Sequence, residues 1–311
     1  MTLSAVIDLL QTALELGLIG SLTVMSLFLS YSMLNVCDLS TDGCFTLGAA
    51  VGAVVAISGH PYLSILAAMG AGILSGLLTA LLQTVCGIDS LLSGIIVNTG
   101  LYSINIAIMG NSSQLNLNKT TTVFSVTKDL LKGTFLADWY KMVVILVFVI
   151  LVAVVLTLFL KTRLGLAIRA TGNNPAMVKS SSINPYITTI IGLMVSCSFT
   201  GLSGCLLAQS QKSTNVDIGS GMVTIALASL LIGHTFFGKK GISLRIFGSI
   251  LGAIIFRIVY MLALRLHMPA SMLKLVSSVI VILTMCVPYF KTKLPLLKRR
   301  FDLRKGGNRN A

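Results

Sequence analysis

Residues 142–160 read MVVILVFVILVAVVLTLFL, nineteen in a row with one threonine as the only polar side chain. A surface helix of a soluble protein keeps a polar face, and this run has none. As an α-helix it spans about 28 Å, close to the roughly 30 Å hydrocarbon core of a bilayer. The reading is a membrane crossing, with every backbone polar group satisfied inside the helix. Nine further apolar segments read the same way, roughly 3–18, 20–36, 44–58, 62–86, 90–109, 186–209, 219–236, 245–264 and 272–289. The chain is 55% hydrophobic and 10% charged, too little charge for a soluble domain of 311 residues. The expected fold is all-α and integral to the membrane, with about ten segments. The segment at 44–58 is short and starts among Gly and Ser, as a broken or half-crossing helix would.

The first helix carries Asp8 and Glu15 and lacks a basic start and a small-residue cleavage site, so it reads as retained rather than as a signal peptide. Basic residues orient the bundle. If the tail KTKLPLLKRRFDLRKGGNRNA is cytoplasmic, alternation places Lys161, Arg163, Arg169, Lys179, Lys239, Lys240 and Arg245 on that side too. With eight more in the tail, 15 of the 23 basic residues then face the cytoplasm. This obeys the positive-inside rule. An even number of crossings puts both termini inside. The net charge of +14 is thus a topology signal, and nucleic acid is not an expected partner. Trp139 and Tyr140 suit the outer interface, and Tyr289 and Phe290 the inner one. The six cysteines form no CxxC pair and read as small buried hydrophobes.

The halves resemble each other. DLSTDGCFTLGAA (38–50) aligns with DIGSGMVTIALA (217–228), GILSGLLTALL (72–82) with GSILGAIIFRI (248–258), and LLSGIIV (91–97) with LVSSVIV (275–281). The offsets cluster near 180 residues, or five segments. Five is odd, so the second half is inverted, with repeats at about 1–110 and 142–290. Inverted repeats are a common transporter architecture with the pathway between them. Gly48/Gly52, Gly72/Gly76 and Gly248/Gly252 are small-xxx-small pairs, read as plain helix packing.

Between two of the most apolar segments sits GLAIRATGNNPAMVKSSSINP (165–185). Asn174 is a good N-cap and Pro175 suits the first helical position. A short cytoplasmic helix over Pro175 to about Ser182 is expected, stopped by Pro185 and presenting Met177 and Val178 to something other than lipid. A plain connector does not need two capping devices. An element that docks on a partner and transmits force needs a fixed shape.

At these residues the chain resembles the permease subunits of ATP-binding-cassette importers, in the branch of the branched-chain amino acid and ribose permeases. TRLGLAIRATGNNPAMVKSSSIN is similar to that family's cytoplasmic loop, basic-Gly-x-x-x-Arg-Ala-x-Gly-x-Asn-Pro, where the coupling helix docks on the ATPase. DLSTDGCFTLGAAVGA (38–53), LLSGIIVNTGLYSINIAIMG (91–110) and LLAQSQKSTNVDIGSGMVTIALASLLIG (206–233) resemble a subgroup linked to tryptophan or tyrosine uptake in bacteria. Ser180, Ser181 and His234 depart from residue types common in the family. The resemblance implies a type II importer fold and a coupling role for Arg169, Gly172, Asn174, Pro175, Met177 and Val178. It also implies a second permease copy, a cytoplasmic ATPase dimer that binds ATP and magnesium, an external or periplasmic solute-binding protein, and residence in the bacterial plasma membrane. This chain has no GxxxxGK[ST] of its own, and no HExxH or nucleophile elbow, so it is expected to bind no cofactor and catalyse no reaction. An ATP-independent transporter or channel is the alternative, and a sugar or nucleoside the alternative cargo.

Charges at membrane depth are functional candidates. Arg257 either meets a substrate carboxylate or pairs with Glu15. Asp38, Ser40 and Asp42 surround a helix break, as pathway lining or as caps. Asp217, the repeat counterpart of Asp38, is expected at the outer mouth, near where a binding protein docks.

Overall fold

The structure, a computed structural model, describes residues 3–118, 120–130, 139–238, 241–265, 275 and 278–283. Lys239, Lys240, most of the 272–289 segment with Tyr289, the residue Phe290 and the tail 291–311 lie outside the described residues. Helix α1 runs from Leu3 to Leu27 and continues as a π-helical turn through Phe28–Met33. Then come α2 (Thr41–Ile57), α3 (Pro61–Thr84), α4 (Ser90–Ile108), strand β1 (Gln114–Asn116), α5 (Val123–Leu130) and α6 (Tyr140–Lys161). The second half holds α7 (Arg163–Asn173), α8 (Pro175–Ser180), α9 (Pro185–Gln211), β2 (Ser213–Asn215), α10 (Met222–Phe237) and α11 (Ile242–Arg265). Residues 278–283 are again helical. Among the described residues six helices are long and apolar enough to cross a membrane, and α2 and α10 are shorter apolar helices.

The segments expected at 3–18 and 20–36 are one helix, so ten separate crossings are not what forms. Gly17 and Gly20 do not break it. The Ser21 and Ser203 hydroxyls bond the Leu18 and Ile19 carbonyls here, both at 2.7 Å, and the helix runs on through them. Gly17 instead admits α11, whose Ile254 Cα lies 3.2 Å from where a Cβ would stand. The helix ends at Asn35, which takes a left-handed conformation (φ 56°) in the manner of a C-terminal cap.

Helix α9 is the hub. It runs antiparallel to α1, stitched by hydroxyls: Ser26 Oγ lies 2.8 Å from Ser196 Oγ and 2.7 Å from Thr200 Oγ1, and Ser203 Oγ donates to the Ile19 carbonyl at 2.7 Å. Glycines allow backbone contact on its other sides. Gly72 of α3 faces the Cys197 carbonyl, and Gly48 of α2 faces Gly201. Helices α2 and α3 thus pack on α9, while α10 and α11 pack on α1. The expectation that Gly48, Gly72, Gly248 and Gly252 serve packing holds, since all four meet a neighbouring helix. Helix α6 buries one stripe, Ile145, Val149, Val152, Leu156 and Leu160, and exposes Val147, Ile150, Leu151 and Leu158. Apolar side chains on an outer face suit lipid.

Two ends of the bundle follow. Gly172 of α7 abuts Met33 and Leu34, and Arg245 at the start of α11 donates Nη2 to Ser32 Oγ at 2.7 Å. The opposite end carries the antiparallel pair β1–β2, with Leu115 opposite Thr214. Because α1 is a single helix antiparallel to α9, its N-terminal end lies with the strands, away from 161–185. The expectation that both termini share the side of that segment fails for the N-terminus, because it counted two crossings where one exists.

Candidate functional site

Two shorter helices meet at their starts. The chain enters from the α7 end through 34–40 and starts α2 at Thr41. It enters from the strand end through 216–221 and starts α10 at Met222. Asp42 joins the two starts: its Oδ2 accepts from the Gly221 N–H at 3.0 Å and its Oδ1 from the Val223 N–H at 2.8 Å. Both bonds satisfy donors that a helix N-terminus leaves open, and the helix dipole favours the carboxylate. Gly219 presses on the Asp42 carbonyl and donates its N–H to Thr46 Oγ1 at 3.2 Å.

Beside this junction lies a polar cavity of about 400 Å³ between α4, the start of α2 and the loop before α10. Asp42, Thr46, Asn98, Tyr102, Asn105 and Asp217 line it with Gly43, Thr99, Ser103, Val216 and Ser220, and none of these is basic. Asn105 is 1% exposed and donates its amide N–H to the Gly43 carbonyl at 3.3 Å. Its own carbonyl oxygen has no partner. Since the Gly43 carbonyl can only accept, this bond fixes which way the amide points.

The residues expected at the pathway divide. Asp42 and Asp217 line the same cavity. Asp38 (2% exposed) and Ser40 (0%) are buried beneath it and form a turn: Asp38 Oδ1 accepts from the Ser40 N–H at 2.9 Å and from Ser40 Oγ at 2.6 Å. Cys197 Sγ also reaches Asp38 Oδ2 at 3.4 Å. This turn precedes α2, and Ser40 at the N-cap position makes no side-chain bond to the N–H groups of the helix start. Arg257 lies apart, among α1, α10 and α11, with its guanidinium 5.7 Å from the Tyr260 ring centre. No ion pair joins it to Glu15 among the described residues; Glu15 accepts instead from Gln11 at 3.3 Å.

Sequence reasoning missed Asn98, Tyr102 and Asn105. Their spacing of four and three puts them on one face of α4, a polar stripe on an apolar helix. That periodicity is a signal the sequence carries.

The segment 165–185 holds two helices rather than one. Helix α7 starts at a Thr162 cap, whose Oγ1 accepts from the Gly165 N–H at 3.2 Å. Asn174 ends α7 and caps α8, with its Oδ1 accepting from the Ala176 and Met177 N–H groups at 3.1 and 3.2 Å. Pro175 takes the first position as expected. Met177 is 67% exposed, whereas Val178 is 4% exposed and packs inward, so only Met177 of that pair is presented. Arg169 lies on α7 within electrostatic reach of Arg245.

The family model of branched-chain amino acid transport system permease components matches residues 9–285. The tyrosine transport system permease protein of Clostridioides difficile (strain R20291) is 34% identical over 267 residues, covering 86% of each chain. The D-allose transport system permease protein AlsC of Escherichia coli (strain K12) is 30% identical over 227 residues, 70% of this chain and 64% of that one. The guanosine ABC transporter permease protein NupQ of Bacillus subtilis (strain 168) is 30% identical over 213 residues, 61% of this chain and 65% of that one. No solved structure matches the chain.

Proposed function

The chain belongs to the family of branched-chain amino acid transport system permease components, and from that premise we propose that it is the membrane-spanning subunit of an ATP-binding-cassette importer that carries an amino acid into a bacterial cell. Members of the family are transport components rather than enzymes. The observation that carries the ATP coupling is the α7–α8 element. It is capped at both of its starts, packed against Met33 and Leu34, and presents an exposed methionine at its tip. An ATP-independent carrier has no use for that capped, exposed element.

In this reading α8 docks on a cytoplasmic ATPase pair that binds ATP and magnesium. A second copy of this chain completes the pathway, and an external binding protein delivers cargo at the strand end. With α7–α8 and the tail in the cytoplasm of the bacterial plasma membrane, the N-terminal end of α1 faces outward. We read α1–α4 and the stretch from α9 onward as the inverted repeats. The support is the antiparallel α1 and α9, the exchange in which each carries the other half's helices, and the paired short helices α2 and α10. With α1 a single helix, each repeat begins with one long helix, and α6 stands between them. Asp42 holds the starts of both short helices, as in transporters whose pathway is built from interrupted helices.

The cargo reading rests on the tyrosine permease relative, which covers the chain far better than the allose and guanosine relatives do. The test is uptake into proteoliposomes that hold the chain, its ATPase and its binding protein. ATP-dependent accumulation of labelled L-tyrosine or another amino acid supports the reading. Accumulation of D-allose or guanosine and of no amino acid overturns the cargo, and accumulation without ATP overturns the coupling.

A further inference from the structure

The polar cavity holds more acceptors than the fold uses. Asp42 is spent, because both of its oxygens are bonded at the start of α10. Asp217 is not engaged in that way. It stands at the cavity's mouth with an exposed side chain, and the bond at this residue is made by its backbone carbonyl, which accepts from the Ser220 N–H at 3.0 Å. Deeper in, the Asn105 carbonyl oxygen is buried and unpartnered. A buried acceptor without a donor costs about 1–3 kcal/mol, so a fold that keeps one has a use for it or fills it from outside. Asn98 adds a side-chain amide to the same wall, its Oδ1 placed 2.7 Å from the position a Cβ would take on Gly43.

The lining thus offers a carboxylate and the Asn105 amide oxygen, and no cation answers them. The complement is a group that carries positive charge and several N–H donors. Tyr102, 52% exposed, supplies a ring at the edge for an apolar or aromatic remainder. The volume, about 400 Å³, falls in the range of small-molecule sites. The site lies in the half of the bundle near β1–β2, the side from which cargo arrives in the importer reading. A neutral sugar or nucleoside would leave Asp217 unanswered in a site that loses water as cargo enters.

We propose that this cavity is a cargo site that recognises a primary ammonium group, with the Asp217 carboxylate as counter-ion and the Asn105 carbonyl as a directional acceptor. The proposal rests on the importer reading above and narrows it to cargo bearing a cationic amine. The carboxylate of an amino acid finds no cation in the lining and faces the open side.

The test is equilibrium binding to the full chain in lipid nanodiscs, with four probes: L-tyrosine, tyramine, 3-(4-hydroxyphenyl)propionate and guanosine. Tyrosine and tyramine should bind and the deaminated acid should not. Asp217→Asn should weaken tyramine binding about tenfold or more, the scale of one charge-assisted contact, and Asp217→Glu should restore most of it. Since Asp217 is an exposed loop residue, its variants should fold. If tyramine binds no better than the deaminated acid, if neither amine binds, or if Asp217→Asn binds as tightly as wild type, the ammonium site is wrong. Uptake of tyrosine by the complete assembly would still stand in those cases. Guanosine binding without either amine would overturn the site and the amino acid reading together.

Discussion

Asp42, a single residue, holds the starts of two short helices, α2 and α10, together. Asp42→Ala leaves the Gly221 and Val223 N–H groups without their acceptor in the bundle interior. The expected loss is about 2 kcal/mol, seen as a lower unfolding midpoint in detergent. An unchanged midpoint would mean that water or another side chain replaces the carboxylate. Asn174 is a second such residue, in a more exposed place. Asn174→Ala should cost α8 about 1 kcal/mol of local stability without touching the transmembrane core. Hydrogen exchange at 176–178 should then speed up several-fold while the amides of α9 exchange as before. That role was legible from Asn174-Pro175 alone, because caps are local chemistry. The role of Asp42 was not, because its partners lie about 180 positions away and only the folded bundle brings them together.

Helix packing in lipid is decided by how closely backbones approach, and the glycines of α2 and α1 make opposite predictions. A Cβ on Gly48 would run into the Gly201 carbonyl of α9, whereas a Cβ on Gly20 meets nothing within 4 Å. Gly48→Ala should therefore lower the unfolding midpoint sharply. Gly20→Ala should be neutral or stabilising by about 0.5–1 kcal/mol, as a helix-interior glycine replaced without a clash. Equal effects at the two sites would contradict the α2–α9 seam. The same Gly20 explains why the sequence misled about α1. Between 18 and 20 there was a glycine but no polar group to end the helix, so the chain ran on to Asn35. Labelling settles that element: an N-terminal tag and a cysteine placed at Ser181 should be reached by impermeant reagents from opposite sides of the membrane. Helix α6 and the short α2 were legible from composition. Helix α7 was not expected, because it is short and, on average, too polar to stand out between its apolar neighbours. Nor was the pairing of 114–116 with 213–215, which has no local signal.

The whole molecule joins an acidic cavity near one end to a capped, exposed short helix at the other, through a bundle in which each half packs on the other's long helix. The permease family was visible in the apolar segments and in 165–185. The cavity was half visible, through Asp42 and Asp217, while its α4 wall was not. The central claim is that α8 passes the work of ATP hydrolysis to this bundle. It is tested most directly by Met177→Asp in the reconstituted complex of permease, ATPase and binding protein. Met177 is largely exposed, so the variant should insert and reach normal abundance. A charge pressed into an apolar groove of the ATPase should weaken docking. The account predicts that cargo-loaded binding protein no longer stimulates ATP hydrolysis, or that the ATPase no longer co-purifies, with uptake falling to background. Stimulation and uptake at the wild-type rate would contradict it and leave α7–α8 a connector.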